Sequence, residues 1–289
     1  MLSRRRLLAL VGVGAGAGVL ATGCARDERP TLQRIREDGT VRVGISGEQP
    51  FGYLDSSGRL TGESPEVARA VLAGIGAPTL EAVQRPFGQL IPGLLDGHFD
   101  LITAGMEITP GRCAQVGFSR PDFVAPTAFL VPNGNPKGLR GFTDVARAGI
   151  PIAVLGGSVE QDAARDAGVP EAQIKTYDLP TQLYQAVFDG DVPVASLTDI
   201  SLRSLLRQHP QPTLEVTAPV ARTNNGRPVH PAAGFAFRPA DTDLRDAFNT
   251  GLTALQDSGA WLRIATPFGV TAANLPPRDL TTAELCQAS

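Results

Sequence analysis

The stretch GMEITPGRC, Gly105 to Cys113, follows the apolar run FDLITA and precedes the mixed segment AQVGFSRPDF. It sets Glu107 and Arg112 five residues apart, either side of a helix-start signal: Thr109 as N-cap and Pro110 in the first turn. A guanidinium in that first turn can join the free backbone N–H groups of the helix start in one positive cradle. It also grips a carboxylate with two parallel hydrogen bonds, which fixes orientation as well as adding energy. The chemistry on offer is anion recognition at a strand end; the ordinary use of an arginine, a surface ion pair, is the alternative. Gly157-Ser158 offers related chemistry at the start of a second helix, near Val159. Its hydroxyl and the nearby N–H groups either meet an anion or only cap their own helix. Metal chemistry has little support, because His98, His209 and His230 are scattered and neither Cys113 nor Cys286 has a partner at metal-ligand spacing. No cofactor is implied.

The elements that must position these groups alternate between strand and helix. TVRVGI is a strand by its β-branched content, and Gly47 to Ser57 a loop. Ser64-Pro65-Glu66 opens a helix with Val67, Val71 and Ile75 on one face. LEAVQR is the next strand, FGQLIPGLLDG a helix stopped at Gly97, FDLITAGM a third strand, and PGRCAQV the start of a further helix. APTAFLVP reads as an extended crossover. A second series follows: the strand GIPIAVL, the turn at Gly156 to Ser158, the helix VEQDAARDAG, the strand QIKTYD, the helix PTQLYQAVFDG, and the strand VPVASLT with the helix ISLRSLLRQH. A Gly- and Pro-containing return, NNGRPVHPAAGFAF, leads to a final helical run that can rejoin the first block. Two blocks of strand–helix alternation indicate two α/β lobes.

The chain opens with an address. Arg4-Arg5-Arg6, an apolar run from Leu7 to Ala21 and Thr22-Gly23-Cys24 have the layout of an export signal, and the apolar core is short for a membrane-spanning helix. Ser3 to Leu8 resembles the twin-arginine export motif. Ala-Thr-Gly-Cys resembles a bacterial lipobox, with Ala21 where leucine is usual, so residues 1–23 are expected to be removed and Cys24 lipidated. An uncleaved anchor is the alternative. Both put the domain outside the cytoplasm, tethered to a membrane by residues 24–35. Roughly 265 residues remain, enough for one large or two small cores. A net charge of −3 and the lack of a basic stripe argue against nucleic acid as a partner. In an oxidising compartment the pair Cys113 and Cys286 is expected to be bridged, stapling the C-terminal tail to the segment after Arg112.

The succession GTVRVGISGEQPFGYLDSSGRLTGESPEVARAV, GLLDGHFDLITAGMEITPGRCAQVGFSRPDF and IAVLGGSVEQ resembles the family-three extracellular solute-binding proteins, the ligand-catching components of bacterial ABC importers. The likeness covers essentially the whole mature chain, and ITPxR followed by FS is its most specific mark. Within that family FGYLD, FGQLIPGL, ITPGRC, VEQ and LRDAFN are most similar to the ectoine/hydroxyectoine-binding branch. The resemblance implies a two-lobed type II periplasmic-binding-protein fold with two hinge crossover strands. Lobe 1 would hold residues 36–130 and 233–289, and lobe 2 residues 131–232. The lobes would close on a solute at the carboxyl ends of the strands. A monomer is expected, with a permease as its partner.

The resemblance also assigns roles. Arg112 matches the carboxylate-binding arginine, and Ser158 would meet the same carboxylate from the opposing lobe. Phe51 and Phe87 match aromatic positions that clasp a compact cation, worth about 0.5–2 kcal/mol at each ring face. For either ring core packing is the alternative, and a Gly- and Pro-bounded loop makes it a poor one for Phe51. Glu48 would neutralise ring N–H groups of the solute, or else be a solvated loop carboxylate; Tyr53 is expected to pack beneath the loop. Glu107 departs from the branch, where an aromatic residue completes the cage. It would favour a localised ammonium or guanidinium, or would turn outward to pair with a surface cation. Thr198 or Asp199 falls where many amino-acid binders keep an ammonium-binding aspartate. The reading is therefore a lipoprotein that captures a small zwitterion, ectoine-like or an amino acid, and is not an enzyme. The competing reading is a dehydratase acting on a cyclic carboxylic acid, as some relatives are, with Glu48 or Glu107 as its acid or base.

Overall fold

The computed structural model describes residues 29–224 and 227–287. The export signal 1–23 and Cys24 lie outside the described residues. Two sheets organise what is described. In the first, the order is Thr79–Gln84, Thr40–Ile45, Leu101–Glu107, Ala232–Phe237 and Gly117–Phe118, and Phe123–Val124 also pairs with Ala232–Phe237. Thr40–Ile45 runs parallel to both of its neighbours, whereas Ala232–Phe237 is antiparallel to Leu101–Glu107. The second sheet has the order Ile174–Tyr177, Ile152–Leu155, Ala195–Thr198, Thr127–Pro132 and Leu214–Val216, with the last two strands antiparallel to their neighbours.

The central strands are buried on both faces because helices cover them, so they read as continuous apolar runs instead of alternating ones. Ile152–Leu155 and Ala232–Phe237 are buried at every position. The first sheet packs its core against the helices Glu63–Ile75 and Thr242–Asp257, with Trp261, Phe235, Phe237 and Phe248 fully enclosed. The second builds a core of its own around Leu183, Leu197, Leu202 and Leu205. The chain passes from one sheet to the other and back, and the two passages touch: Ala125 N–H donates to Pro231 O at 2.9 Å, and Val220 N–H to Thr127 O at 2.7 Å.

Four expectations change. APTAFLVP is not only a crossover, since Thr127–Pro132 is an interior strand of the second sheet, whole on one side of the expected division at 130/131. Residues 31–35 are not tether: Thr31–Asp38 is a docked helix with Ile35 buried, Thr31 Oγ1 donating to Asp241 at 2.7 Å and Arg34 paired with the buried Asp100 at 2.7 Å. The helix at PGRCAQV stops after one turn, Pro110–Cys113. The helix expected to open with Ser64 as N-cap begins two residues earlier: Glu63 is its first residue, and Gly62, at φ 124°, takes the N-cap position. There a side chain would be strained, and a Cβ would stand 2.3 Å from Phe51 O. A disulfide joins Cys113 to Cys286, with Cα atoms 5.6 Å apart, and so ties the turn carrying Arg112 to the helix Thr282–Gln287.

Candidate functional site

Strands of both sheets end at one cleft, as open α/β sheets place their ligand sites. From the first sheet it is lined by Glu48, Phe51, Phe87, Gly105, Glu107 and Arg112; from the second by Leu155, Ser158, Val159, Glu160, Leu197 and Thr198. Glu107, Leu155 and Thr198 are each the last residue of their strand. The empty space between these residues is about 360 Å³, part of it open to solvent.

Arg112 is held from several directions. Thr109 caps its turn, accepting from Arg112 N–H at 3.3 Å. The guanidinium is buried; Nη1 donates to Glu107 O at 2.8 Å, and Nη2 crosses the cleft to Gly157 O at 3.0 Å. Its Cζ stands 5.2 Å from the Phe87 ring centroid. Burial pulls the pKa down, and the carboxylates of Glu107 and Glu160 oppose that pull. Two of five guanidinium N–H donors serve these carbonyls, which leaves donors for a carboxylate.

Phe87 therefore gives a ring face to the protein's own cation. Phe51 is also packed, contrary to the expectation for its loop. It is 1% exposed, stacked on Phe123 at 4.8 Å with 8° between the planes, and presents only its remaining surface to the cleft. Gly105 makes this possible: its φ is 61°, and a Cβ there would come within 2.7 Å of Phe51 Cγ. Tyr53 sits in a short hairpin opposite Thr61, partly exposed.

Glu48 is no solvated loop carboxylate. It is 4% exposed, and Ser201 Oγ, from the second lobe, donates to its Oε1 at 2.6 Å. Ser201 Oγ in turn accepts from Thr198 Oγ1 at 3.0 Å. Burial pushes the Glu48 pKa up to about 8 against the Ser201 hydrogen bond, and the nearby charge of Glu160 adds to the rise. Glu107 does not turn outward to a surface cation. It lines the cleft, and its Oε2 accepts from Arg222 Nη2, with both side chains almost fully buried. Its other oxygen, Oε1, is buried with no hydrogen-bond partner. Burial raises its pKa, and Arg222 works against the rise.

Ser158 caps its own helix, accepting from Gln161 N–H at 3.3 Å, and lines the cleft as well. Gly157 N–H donates to Gln161 Oε1 at 2.8 Å, and its carbonyl O accepts from Arg112. Asp199 is not brought to the cleft. It starts the helix Asp199–Gln208 and faces a separate hollow with Arg203 and Arg207, 3.8 Å from Arg203 Nε. Burial raises its pKa. The strand ends one residue before it, so only Thr198 points into the cleft. Sequence reasoning missed Glu160, Ser201 and Arg222. Glu160 is buried at the start of its helix, accepts from Thr127 Oγ1 at 3.0 Å and lies within the VEQ match, where it was legible. No local signal marks Arg222, in the polar return ARTNNGRP, or Ser201, one helical turn beyond Thr198. Among the described residues no group of three or more acidic, histidine or cysteine side chains is placed to hold a metal.

Residues 41–270 match the model of the bacterial extracellular solute-binding proteins, family 3. The chain is 30% identical over 262 residues to a probable amino-acid ABC transporter periplasmic-binding protein of Sinorhizobium fredii, covering 89% of this chain and 86% of that one. It is 26% identical over 206 residues to cyclohexadienyl dehydratase of Pseudomonas aeruginosa, covering 70% and 75%. Among solved structures, EhuB in complex with hydroxyectoine superposes with a TM-score of 0.82 at 34% identity, covering 90% of this chain and 98% of that one. The ancestral amino acid-binding protein that preceded cyclohexadienyl dehydratase gives 0.72 at 28% identity, covering 82% and 99%. The two-lobed type II architecture is common to them.

Proposed function

This chain belongs to the bacterial extracellular solute-binding proteins of family 3, and on that premise we propose that it captures a small zwitterionic solute, an ectoine-like compound or an amino acid, for an ABC importer. Arg112 takes the solute carboxylate, helped by Ser158 and the N–H groups of its helix start. The cationic end lies towards Glu48 and Glu160, with Phe51, Phe87 and Thr198 shaping the space. The observation that carries this is a buried guanidinium at the mouth of both lobes, with donors to give and three carboxyl groups sharing its cleft. A carboxylate gripped from both lobes stabilises only the closed arrangement, so binding and closure are one event. The protein works as a monomer outside the cytoplasm, anchored through a lipid on Cys24, and catalyses no reaction. Among the described residues no helix is long and apolar enough to cross a membrane.

A thermal-shift and calorimetric screen of ectoine, hydroxyectoine and the amino acids tests the reading, because a solute that binds only the folded state raises its stability. Saturable stabilisation by one of them, lost in Arg112→Ala, is the expected result; stabilisation that survives Arg112→Ala removes that residue from the site. A dehydratase reading draws on Glu48, a buried carboxyl pushed up to about 8 and so able to give a proton near neutrality. Incubation with cyclic carboxylic acids separates the two: product formation abolished by Glu48→Gln supports the enzyme, and no product with saturable binding supports the carrier.

A further inference from the structure

The carboxyl groups of the cleft outnumber its guanidinium groups. Glu48, Glu107 and Glu160 face it, Arg112 reaches into it, and Arg222 touches it only through Glu107. Arg222 stands in the passage between the strands Leu214–Val216 and Ala232–Phe237. Both side chains of the pair are about nine-tenths buried, at 9% and 10% exposure. Screening by water is therefore weak, and the presence or absence of one charge is felt across the cleft.

We infer that Arg222 sets the charge selectivity of the cleft: by neutralising Glu107 it lets the site take a net-neutral zwitterion, and without it the same site would take a cationic solute. Arg222 is a positioning residue, since it acts through Glu107. The inference rests on the capture reading of the previous section. Its physical basis is the geometry of one carboxylate. Oε2 is taken by Arg222, which fixes the group; Oε1 is buried without a partner and remains as an acceptor for an N–H or O–H of the solute. With the guanidinium in place Glu107 offers a hydrogen bond and no net charge. With it gone, the cleft sets three carboxyl groups against one guanidinium, and a buried carboxyl lacking its counter-ion either takes a proton or recruits a cation. A solute bearing an ammonium or guanidinium beyond its α-amino group supplies that cation. The charged groups around Glu107 include Arg222, Arg112 and Glu160, and of the two guanidinium groups it is Arg112 that lines the cleft.

The test is the ratio of association constants for a cationic amino acid, arginine, and a net-neutral zwitterion, ectoine, measured by calorimetry at about pH 8 on the full folded chain. In Arg222→Gln the ratio rises at least about tenfold, the size one unit charge produces across a few ångströms of partly screened space. In Glu107→Gln, which strands the guanidinium, it falls. Arg222→Lys keeps the parent ratio, and the double variant returns to within a few-fold of it. Equal weakening of both solutes in Arg222→Gln and Glu107→Gln, with the ratio unmoved, overturns the inference and leaves capture intact. A parent protein that binds neither these nor any amino acid overturns the capture reading, and the inference falls with it. Should Arg222→Gln not fold, the downward shift in Glu107→Gln decides alone.

Discussion

Glu48 gives the sharpest quantitative prediction. Its carboxyl is enclosed where the two lobes meet, and its pKa is pushed up to about 8 from an ordinary 4.5 by burial. A raised carboxyl binds its proton more tightly in the native state than in the unfolded one. Stability is then greatest below about pH 4.5, falls as pH rises, and levels off once pH passes about 8. One pKa unit corresponds to about 1.4 kcal/mol, so the native state should lose several kcal/mol, on the order of 3, from this group between pH 5 and pH 8. Glu48→Gln is the matching perturbation. The amide has the shape of the protonated carboxyl, never ionises, and keeps an oxygen to accept from Ser201. Urea unfolding of both proteins from about pH 5 to pH 9 reads the effect. Other raised carboxyls, such as Asp122, pushed up to about 7 by burial, tilt both curves alike, so the difference between them isolates Glu48. The variant should gain on the parent progressively across that window. Parallel curves would refute the reasoning, because they would mean that Glu48 meets water in the native state.

Three further outcomes follow from named contacts. Arg112→Ala should weaken the solute by about 2–5 kcal/mol in calorimetry, the usual cost of truncating one partner of a buried charge-assisted pair; an unchanged affinity would put the carboxylate elsewhere. Gly157→Ala should hold the lobes apart, since φ there is 75° and the new Cβ would stand 2.7 Å from Gly88 Cα in the opposing lobe; small-angle scattering should show a larger radius of gyration with solute than the parent has. Replacing Cys113 and Cys286 by serine opens a loop of 173 residues, worth about 5 kcal/mol in the chain-entropy view, and should lower Tm with solute affinity held within a few-fold.

What the sequence made legible divides along the range of the interactions. The strand–helix alternation and the turn at Thr109-Pro110 are local, and they predicted both lobes and the start of the helix that carries Arg112. Features set by contacts distant in sequence were not legible. Phe51 reads as a loop aromatic until Phe123 and Gly105 are known to lie against it, 72 and 54 positions away. Arg222 pairs with Glu107 across 115 residues, and nothing in its neighbourhood distinguishes it from a solvated arginine. Residues 31–35 read as spacer in the sequence; the docking of Leu32 and Ile35, the Thr31–Asp241 hydrogen bond and the Arg34–Asp100 pair make them part of the domain. Thr198 and Asp199 are equal candidates in the sequence; the strand ends at Thr198, which lines the cleft, and Asp199 opens the next helix and faces the hollow with Arg203 and Arg207.

The contacts that close the molecule and those that would hold a solute are drawn from the same few groups. Arg112 to Gly157 O and Ser201 to Glu48 both cross between the lobes, and both involve cleft-lining residues. These contacts satisfy part of the polar inventory of the cleft: the arginine has carbonyl partners, and burial of Glu48 favours its neutral form. A solute does not enter a site of unsatisfied charges. It replaces the proton on Glu48 and takes up the donors that Arg112 has left, and its net gain is the difference between those pairings and its own. An ammonium brought beside Glu48 favours the ionised form, so capture of a cation there must release a proton when pH lies below about 8. Calorimetric heats measured in buffers of different ionisation enthalpy should then diverge for the parent and coincide for Glu48→Gln. Heats that coincide for both would mean that the cationic end of the solute lies away from Glu48, towards Glu160 and Glu107.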